Sequence, residues 1–332
     1  MGYNFGMSIA RVAVLRGGPS EEYNVSLKTG QHVLDSLVKR GLKTVDVLVN
    51  RQGHWLVDGF HKKPEEALTG VDAVFIAMHG QYGEDGEVQR LLERFHLPYV
   101  GSKAYPSAVA FNKLLTKEAL KSQGVKVPAH FKVSREMTDL SRIVHTIESL
   151  FGPNYIVKPV NSGSSLGIKT ASGGGELLNA LRTMLQEREA VMVEERLRGR
   201  EASVGVLERF RGRDLYALPV TEIVGLSVAD FYDFENKYNG RANEICPGNF
   251  SLNEKAELER LASLVHQSLG LSQWSRSDFI LVGNDVYFLE VNTLPALTPD
   301  TIFGRSLESV GSSIDDLVWH LLLDSHDTHR TR

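Results

Sequence analysis

Near the C-terminus, Arg276, Asp278, Glu290 and Asn292 have the types and spacing for metal and phosphate chemistry. They lie in R-S-D-F-I-L-V-G-N-D-V-Y-F-L-E-V-N-T-L-P-A-L-T-P-D-T, from Arg276 to Thr301. Alternating apolar residues run into Gly283-Asn284-Asp285 and a second alternating run follows, which predicts a β-hairpin. With the turn centred on Asn284, Asp278 faces Glu290 and Arg276 faces Asn292. Side chains two apart on a strand share a face, so all four project from one end of one side. Phe279, Leu281, Tyr287, Leu289 and Val291 would form the core face opposite. Asp278, Glu290 and Asn292 offer hard oxygen ligands and nothing soft. That suits Mg²⁺ or Mn²⁺, and Mg²⁺ takes few protein ligands alongside phosphate oxygens. The other reading is a cross-strand carboxylate pair on a solvated sheet. Like charges directly opposite destabilise a sheet, so that reading also needs a nearby cation.

The elements that must position these groups follow from pattern. Ala10 to Leu15 reads as a buried strand, broken by Gly17-Gly18-Pro19-Ser20. A helix from Glu21 or Glu22 to Arg40 follows, then a strand at Thr44–Val49 and a short hairpin-like piece through Trp55. Val71–Met78 is almost wholly apolar, as a central parallel strand would be. It ends at H-G-Q-Y-G-E-D-G, and a helix begins at Glu87. Strand, Gly-rich turn and helix in repetition mark an open α/β sheet, whose functional residues sit at the carboxyl ends of its strands. Ser20–Ser26 and His79–Asp85 sit there. Gly17-Gly18 lacks the G-x-G-x-x-G spacing, so no dinucleotide site is read. For Glu22 and Ser26 the plain reading is first-turn helix chemistry. A helix from Ser107 to Gln123 carries Asn112-Lys113 and Lys117.

Tyr155 to Thr170, Y-I-V-K-P-V-N-S-G-S-S-L-G-I-K-T, is a strand, a small polar loop and a second strand at Leu166–Thr170. A loop rich in free N–H groups and hydroxyls makes an anion cradle, and Lys158 precedes it on the strand. No helix opens at a Walker spacing, so it is not a P-loop. Gly173-Gly174-Gly175 forms a turn into a helix at Glu176–Glu187. A strand at Val191–Glu195 turns through Leu197-Arg198-Gly199 into another at Glu201, and a further strand spans Leu215–Glu222. Apolar β residues ending in acidic positions suit an adenine and ribose pocket, with Glu201 accepting from ribose hydroxyls. Phe231 to Asn243 is a polar, aromatic loop long enough for a lid, with Lys237-Tyr238 at its tip. An amphipathic helix spans Glu254–Leu269, and a last helix Ile314–Leu323 ends in a frayed Ser325–Arg332.

A chain of 332 residues buries a large core in more than one domain. A net charge of −4 with interspersed signs gives no footprint for nucleic acid or membrane. The single cysteine, Cys246, fits a reducing compartment and excludes a cysteine-based zinc site. Neither a signal peptide nor a spanning apolar run is read, so a cytoplasmic location is expected.

Together these stretches resemble the D-alanine–D-alanine ligases of the ATP-grasp superfamily, in order from Gly17 to about Leu323. They are G-G-P-S-E-E-Y-N-V-S-L, H-G-Q-Y-G-E-D-G, P-Y-V-G-S, V-K-P-V-N-S-G-S-S-L-G-I, V-E-E-R-L-R-G-R-E, F-Y-D-F-E-N-K-Y, R-S-D-F and F-L-E-V-N-T-L-P. The resemblance implies an α/β and α+β ATP-grasp fold with an N-terminal Rossmann-like parallel-sheet domain at 8–106. Two ATP-grasp subdomains, 107–196 and 197–325, would clamp ATP. Lys113, Lys158 and Lys237 would contact its phosphates, with Ser164 and Ser165 in the covering loop. Glu194, Leu197 and Glu201 would surround adenine and ribose. Asp278, Glu290 and Asn292 would hold two Mg²⁺ or Mn²⁺ ions. Glu22 would position the first D-alanine's ammonium group, linked to Ser164 and Tyr238, with Val25 nearby. His79 would lie near that substrate's carboxylate. Arg276 and the N–H at Ala296 would stabilise an oxyanion, and Thr301 and Ile302 would face the second D-alanine. A homodimer is implied as well.

Several positions depart from the family pattern. Tyr23-Asn24 replace a charged pair, Ala296 a usual glycine, Thr301 a usual serine, Gly304 a frequent proline and Asn112 a usual aspartate. The alanine is expected to strain a special backbone conformation. Alternatives are a ligase with another acceptor, D-lactate or D-serine, and a nucleotide-binding homologue impaired in catalysis.

Overall fold

The computed structural model describes residues 9–161, 167–224 and 243–330, the last four by backbone alone. The first unit comprises β1 (Arg11–Gly17), α1 (Tyr23–Lys39), β2 (Lys43–Val49), β3 (Trp55–Val57), β4 (Phe60–Lys62), α2 (Pro64–Ala67), β5 (Ala73–Ile76), α3 (Glu87–Arg94) and β6 (Tyr99–Val100). Its sheet has the order β4-β3-β2-β1-β5-β6. Strands β2, β1, β5 and β6 run parallel, and β3 and β4 add an antiparallel edge. Val12–Leu15 and Ala73–Ile76 are fully buried, as strands covered on both faces must be. Because β1 and β5 are neighbours, the turns that follow them meet.

The single helix expected over Ser107–Gln123 is two, α4 (Ala104–Phe111) and α5 (Lys113–Lys121). Asn112 breaks them with extended backbone, and its side chain accepts from the N–H groups of Leu114 and Leu115. Asparagine satisfies orphan donors as a cap better than it serves a helix interior.

The next unit is β7 (His130–Ser134), α6 (Leu140–Phe151), β8 (Asn154–Pro159), β9 (Lys169–Ser172), α7 (Gly173–Glu187) and β10 (Ala190–Glu195). Its antiparallel sheet is ordered β7-β10-β8-β9. The three glycines expected as a turn are the first turn of α7 itself. The Glu176 carboxylate accepts from the Ser172 N–H at 2.8 Å and so closes that end.

The last unit is β11 (Arg200–Glu208), β12 (Leu215–Ala217), β13 (Thr221–Val224), β14 (Asn243–Ile245), α8 (Leu252–Ser268), β15 (Trp274–Val282), β16 (Asp285–Asn292), α9 (Ile302–Glu308) and α10 (Ile314–Arg330). The sheet is ordered β14-β13-β11-β15-β16, with β12 also on β11. The strand expected over Leu215–Glu222 is split at Leu218-Pro219-Val220, where proline removes a ladder donor. The expected frayed tail is helical to Arg330, with Asp324, Ser325 and His326 buried. Asp324 Oδ2 accepts from Arg209 at 2.6 Å, which anchors that end.

The cores do not follow chain order. Leu317, Val318, Leu321 and Leu322 of α10 join the core of the first sheet. Ala110 and Leu120 of the α4–α5 pair join that of the last. The central sheet has a core of its own with α6 and α7. The α4–α5 pair therefore lies against the last sheet while touching the central unit at the start of α5, where the Lys113 N–H donates to the Val160 carbonyl at 3.0 Å.

Candidate active site

The hairpin of β15 and β16 has the expected pairing at its working end: Arg276 opposite Asn292 and Asp278 opposite Glu290. A bulge at Asp278/Phe279 then shifts the register, so Phe279 pairs with Phe288. The core face expected to carry Tyr287 is corrected by this. Phe288 is buried and meets the Phe279 ring edge-on at 5.9 Å, while Tyr287 and Leu289 are half-buried. One extra residue in a strand flips every side chain beyond it.

The two facing carboxylates each have a cation. Arg276 donates to Asp278 through Nε at 3.0 Å and Nη2 at 2.9 Å. Ser203 Oγ donates to Asp278 Oδ1 at 2.5 Å. Lys113 Nζ lies 3.0 Å from Glu290 Oε2. The cation that a cross-strand carboxylate pair requires is therefore supplied by the protein. Asn292 Nδ2 and Thr293 Oγ1 are buried and unpartnered among the described residues. Glu84, Phe111, Lys113, Glu290, Asn292 and Thr293 line a small cavity where three parts of the chain meet.

The donor set of the hairpin matches the needs of a hard divalent ion. Two carboxylates and the amide oxygen of Asn292 are hard donors that fit one, provided that other oxygens complete its shell. Among the described residues no three His, Cys, Asp or Glu side chains stand together, so an all-protein cage is absent from these. An ion shared with phosphate oxygens suits this set.

A second charged cluster sits in the central sheet. Glu194 on β10 is buried, with Lys158 Nζ at 2.5 Å from Oε2 and Lys117 Nζ at 2.8 Å from Oε1. Each carboxylate oxygen of Glu194 thus has an ammonium group of its own. Burial alone would raise the Glu194 carboxyl, but the two ammonium groups hold it below its ordinary range. Burial pushes Lys117 down to about 8, against the pull of Glu194.

The third cluster joins the first sheet to the loop after β16. His79 Nδ1 lies 3.0 Å from the Leu294 carbonyl, so it carries the proton. Nε2 then accepts from Thr29 Oγ1 at 2.9 Å. Glu84 accepts from the N–H of Gly80 at 2.7 Å and of Leu294 at 3.1 Å. Burial lowers His79 to about 4. Burial, then the charge of Glu22, raises Glu84 to about 8. Glu22 stands at the entry to α1, where a Cβ on Gly80 would come within 2.9 Å of its Oε2. Val25 is half-buried one turn on. Ser26 Oγ accepts from Gly17 N–H and donates to the Ala77 carbonyl, each at 2.7 Å, and ties the ends of β1 and β5 together.

Two family descriptions match the chain: "D-ala D-ala ligase N-terminus" at residues 59–102 and "D-ala D-ala ligase C-terminus" at residues 119–323. The chain belongs to the D-alanine–D-alanine ligase family. The D-alanine–D-alanine ligase of Geobacter sulfurreducens is 35% identical over 323 residues, covering 96% of this chain and 95% of that protein. The ligase of Leptospira interrogans is 31% identical over 345 residues, covering 95% and 97%. Among solved structures, D-alanyl-alanine synthetase A from Vibrio cholerae superposes with a TM-score of 0.83 at 23% identity, covering 97% of this chain and 99% of that one. The VanG D-Ala:D-Ser ligase from Enterococcus faecalis gives 0.81 at 25%, covering 95% and 99%. The fold is thus the ATP-grasp fold, with an N-terminal Rossmann-like parallel-sheet domain.

Within this family member, Glu22, His79, Lys113, Arg276, Asp278, Glu290 and Asn292 belong to the two linked clusters around the cavity. Lys158 and Glu194 lie in the central sheet. Glu201 is half-buried on β11, and Leu197 is half-buried between β10 and β11. Ser164, Ser165, Lys237 and Tyr238 lie outside the described residues, as does the loop from Phe231. Ala296 does not have a left-handed backbone, so the strain expected there is absent. Thr301 caps α9, its hydroxyl accepting from Gly304 N–H at 3.3 Å and donating to the Thr298 carbonyl at 2.7 Å. Ile302 is buried. Gly304 has a packing reason: a Cβ there would come within 2.5 Å of the Pro299 carbonyl oxygen.

Sequence reasoning missed Glu84 and Lys117. Glu84 was visible only as one acid in a Gly-rich turn. Lys117 follows Lys113 by four residues on one helix face, a like-charge spacing that demands acidic partners.

Proposed function

We propose that this protein is a D-alanine–D-alanine ligase that uses ATP to make D-alanyl-D-alanine for peptidoglycan, in the cytoplasm and as a homodimer. The observation that carries the reading is the facing pair Asp278–Glu290 with Asn292, flanked by Arg276 and Lys113 and backed by the fastened loop at Leu294. Such a face suits the terminal phosphates of ATP.

A carboxylate is a poor electrophile until one oxygen becomes a leaving group. The first D-alanine's carboxylate oxygen attacks the γ-phosphorus and ADP departs, giving an acyl phosphate. The second D-alanine's amine attacks the acyl carbon, and phosphate leaves with the former carboxylate oxygen. Asp278, Glu290 and Asn292 would hold two Mg²⁺ or Mn²⁺ ions, which neutralise phosphate charge when bound. Lys113, Lys158 and Lys237 bind the phosphates, with Ser164 and Ser165 over them. Glu194, Leu197 and Glu201 surround adenine and ribose. Glu22 orients the first ammonium group beside Val25, linked to Ser164 and Tyr238. His79, with both ring nitrogens engaged, works through the loop it pins. Arg276 and the Ala296 N–H meet the oxyanion, and Thr301 and Ile302 orient the second carboxylate. In this reading the units are 8–106, 107–196 and 197–325.

The test is phosphate release from ATP and Mg²⁺ with a panel of D-alanine, D-serine and D-lactate. Release with D-alanine alone, and dipeptide as product, supports the reading. Release only with a mixed pair would move it to another acceptor, and none with any member would remove it.

A further inference from the structure

Lys117 has no place in the chemistry above, yet among the described residues it is the largest charged side chain that is fully buried, with 0% of it exposed. It cannot touch a ligand. Its ammonium group sits where three elements meet: it leaves α5, pairs with Glu194 of β10 at 2.8 Å, and approaches the Phe288 carbonyl of β16 at 3.5 Å. The Phe288 ring lies 5.9 Å away. One turn earlier on the same helix, Lys113 holds Glu290 of the hairpin. A single helix thus fixes the central sheet and the hairpin through two lysines.

The charge count matters more than the packing. Glu194 is shared by Lys117 and Lys158, so the cluster carries two positive charges and one negative, a net of +1. Without Lys117, Lys158 and Glu194 would neutralise each other, and Lys158 would have little charge to offer an anion. A buried carboxylate binds a lone ammonium tightly, because the low dielectric strengthens the pair.

We propose that Lys117 is a positioning residue for the nucleotide: it takes one oxygen of Glu194 and so leaves the Lys158 ammonium available to phosphate. This rests on the ligase reading, in which Lys158 meets the phosphates of ATP. Methionine at position 117 keeps the length of the stem and removes the charge.

ATP affinity is measured by calorimetry without D-alanine, and steady-state kinetics alongside. Lys117→Met should raise the Kd and KM for ATP at least about tenfold, with the KM for D-alanine and kcat within about threefold. Affinity for inorganic tripolyphosphate, which has no adenine for Glu194 to meet, is measured as well: Lys117→Met should weaken it at least about tenfold, and adding Glu194→Gln should return it to within about threefold of wild type, because Lys158 is freed again. A merely structural lysine would lower stability and leave tripolyphosphate affinity unrescued. The proposal is overturned if Lys117→Met binds ATP within about twofold of wild type, or if the double variant binds tripolyphosphate no better than the single. Should the single variant not fold, the double variant decides: near-normal tripolyphosphate affinity upholds the proposal and lost affinity overturns it. A wild-type protein that binds ATP but releases no phosphate with D-alanine would sink the ligase reading instead, and the two failures are separate measurements.

Discussion

On the hairpin, Asp278 and Glu290 keep 15% and 16% of their side chains exposed, and pair with Arg276 and Lys113 respectively. In the central sheet, Glu194 keeps 2% and is gripped by two lysines that are themselves 0% and 5% exposed. Both regions balance carboxylates with cations, but the hairpin pairs are open enough to exchange either cation, whereas in the central sheet Lys117 is sealed and Lys158 alone keeps an edge exposed. In the ligase reading, a metal ion with its phosphate ligands would displace Arg276 or Lys113 at modest desolvation cost. Replacing Lys117 would require opening a packed core, where an unpaired charge costs several kcal/mol. The open pair can trade its cations, and in the buried trio it is Lys117 that fixes the charge.

The comparison can be broken first at its open end. Glu290→Gln should lower turnover by about 1,000-fold or more while thermal unfolding hardly moves. Normal turnover in that variant removes the metal assignment. At the sealed end the order of effects reverses. Glu194→Ala leaves two buried ammonium groups together and should cost about 4 kcal/mol of unfolding free energy in urea. Glu118→Ala, which removes an exposed pair with Lys121, should cost less than about 1 kcal/mol. Equal costs would erase the distinction.

The reverse face of the hairpin sharpens it. Phe288→Ala should cost about 3 kcal/mol and Tyr287→Ala less than about 1 kcal/mol, since the bulge turns only Phe288 into the core. The opposite order would refute the shifted register. The smallest effect is the pH dependence of His79. Its folded pKa, about 4, lies below its ordinary 6.5, so the unfolded chain binds more protons between those values. Stability from this group is therefore present above pH 6.5 and is lost as pH falls toward 4. Between pH 7.5 and 5 the loss is about 2 kcal/mol. His79→Gln should flatten that part of the stability curve, and an unchanged slope would show that another group is responsible.

Much of the open cluster was readable because its contacts are local. A two-residue period and a turn signal suffice to set Asp278 against Glu290, and the resemblance along the whole chain supplied the fold. The bulge escaped because it depends on which ring, Tyr287 or Phe288, fills space under α8. The break at Asn112 escaped because apolar spacing runs through it, and the extended backbone there bridges to Asn161, far along the chain.

Sequence alone determined most of the strands, the turn of the C-terminal hairpin and the residue types that could meet phosphate and metal, since these depend on neighbours a few positions apart. Tertiary structure alone decided that Lys117 and Lys158 share Glu194, and that His79 and Glu84 fasten a loop more than 200 residues away. Those pairings arise from burial, which withdraws water from a polar group and leaves it only the partners the fold brings near.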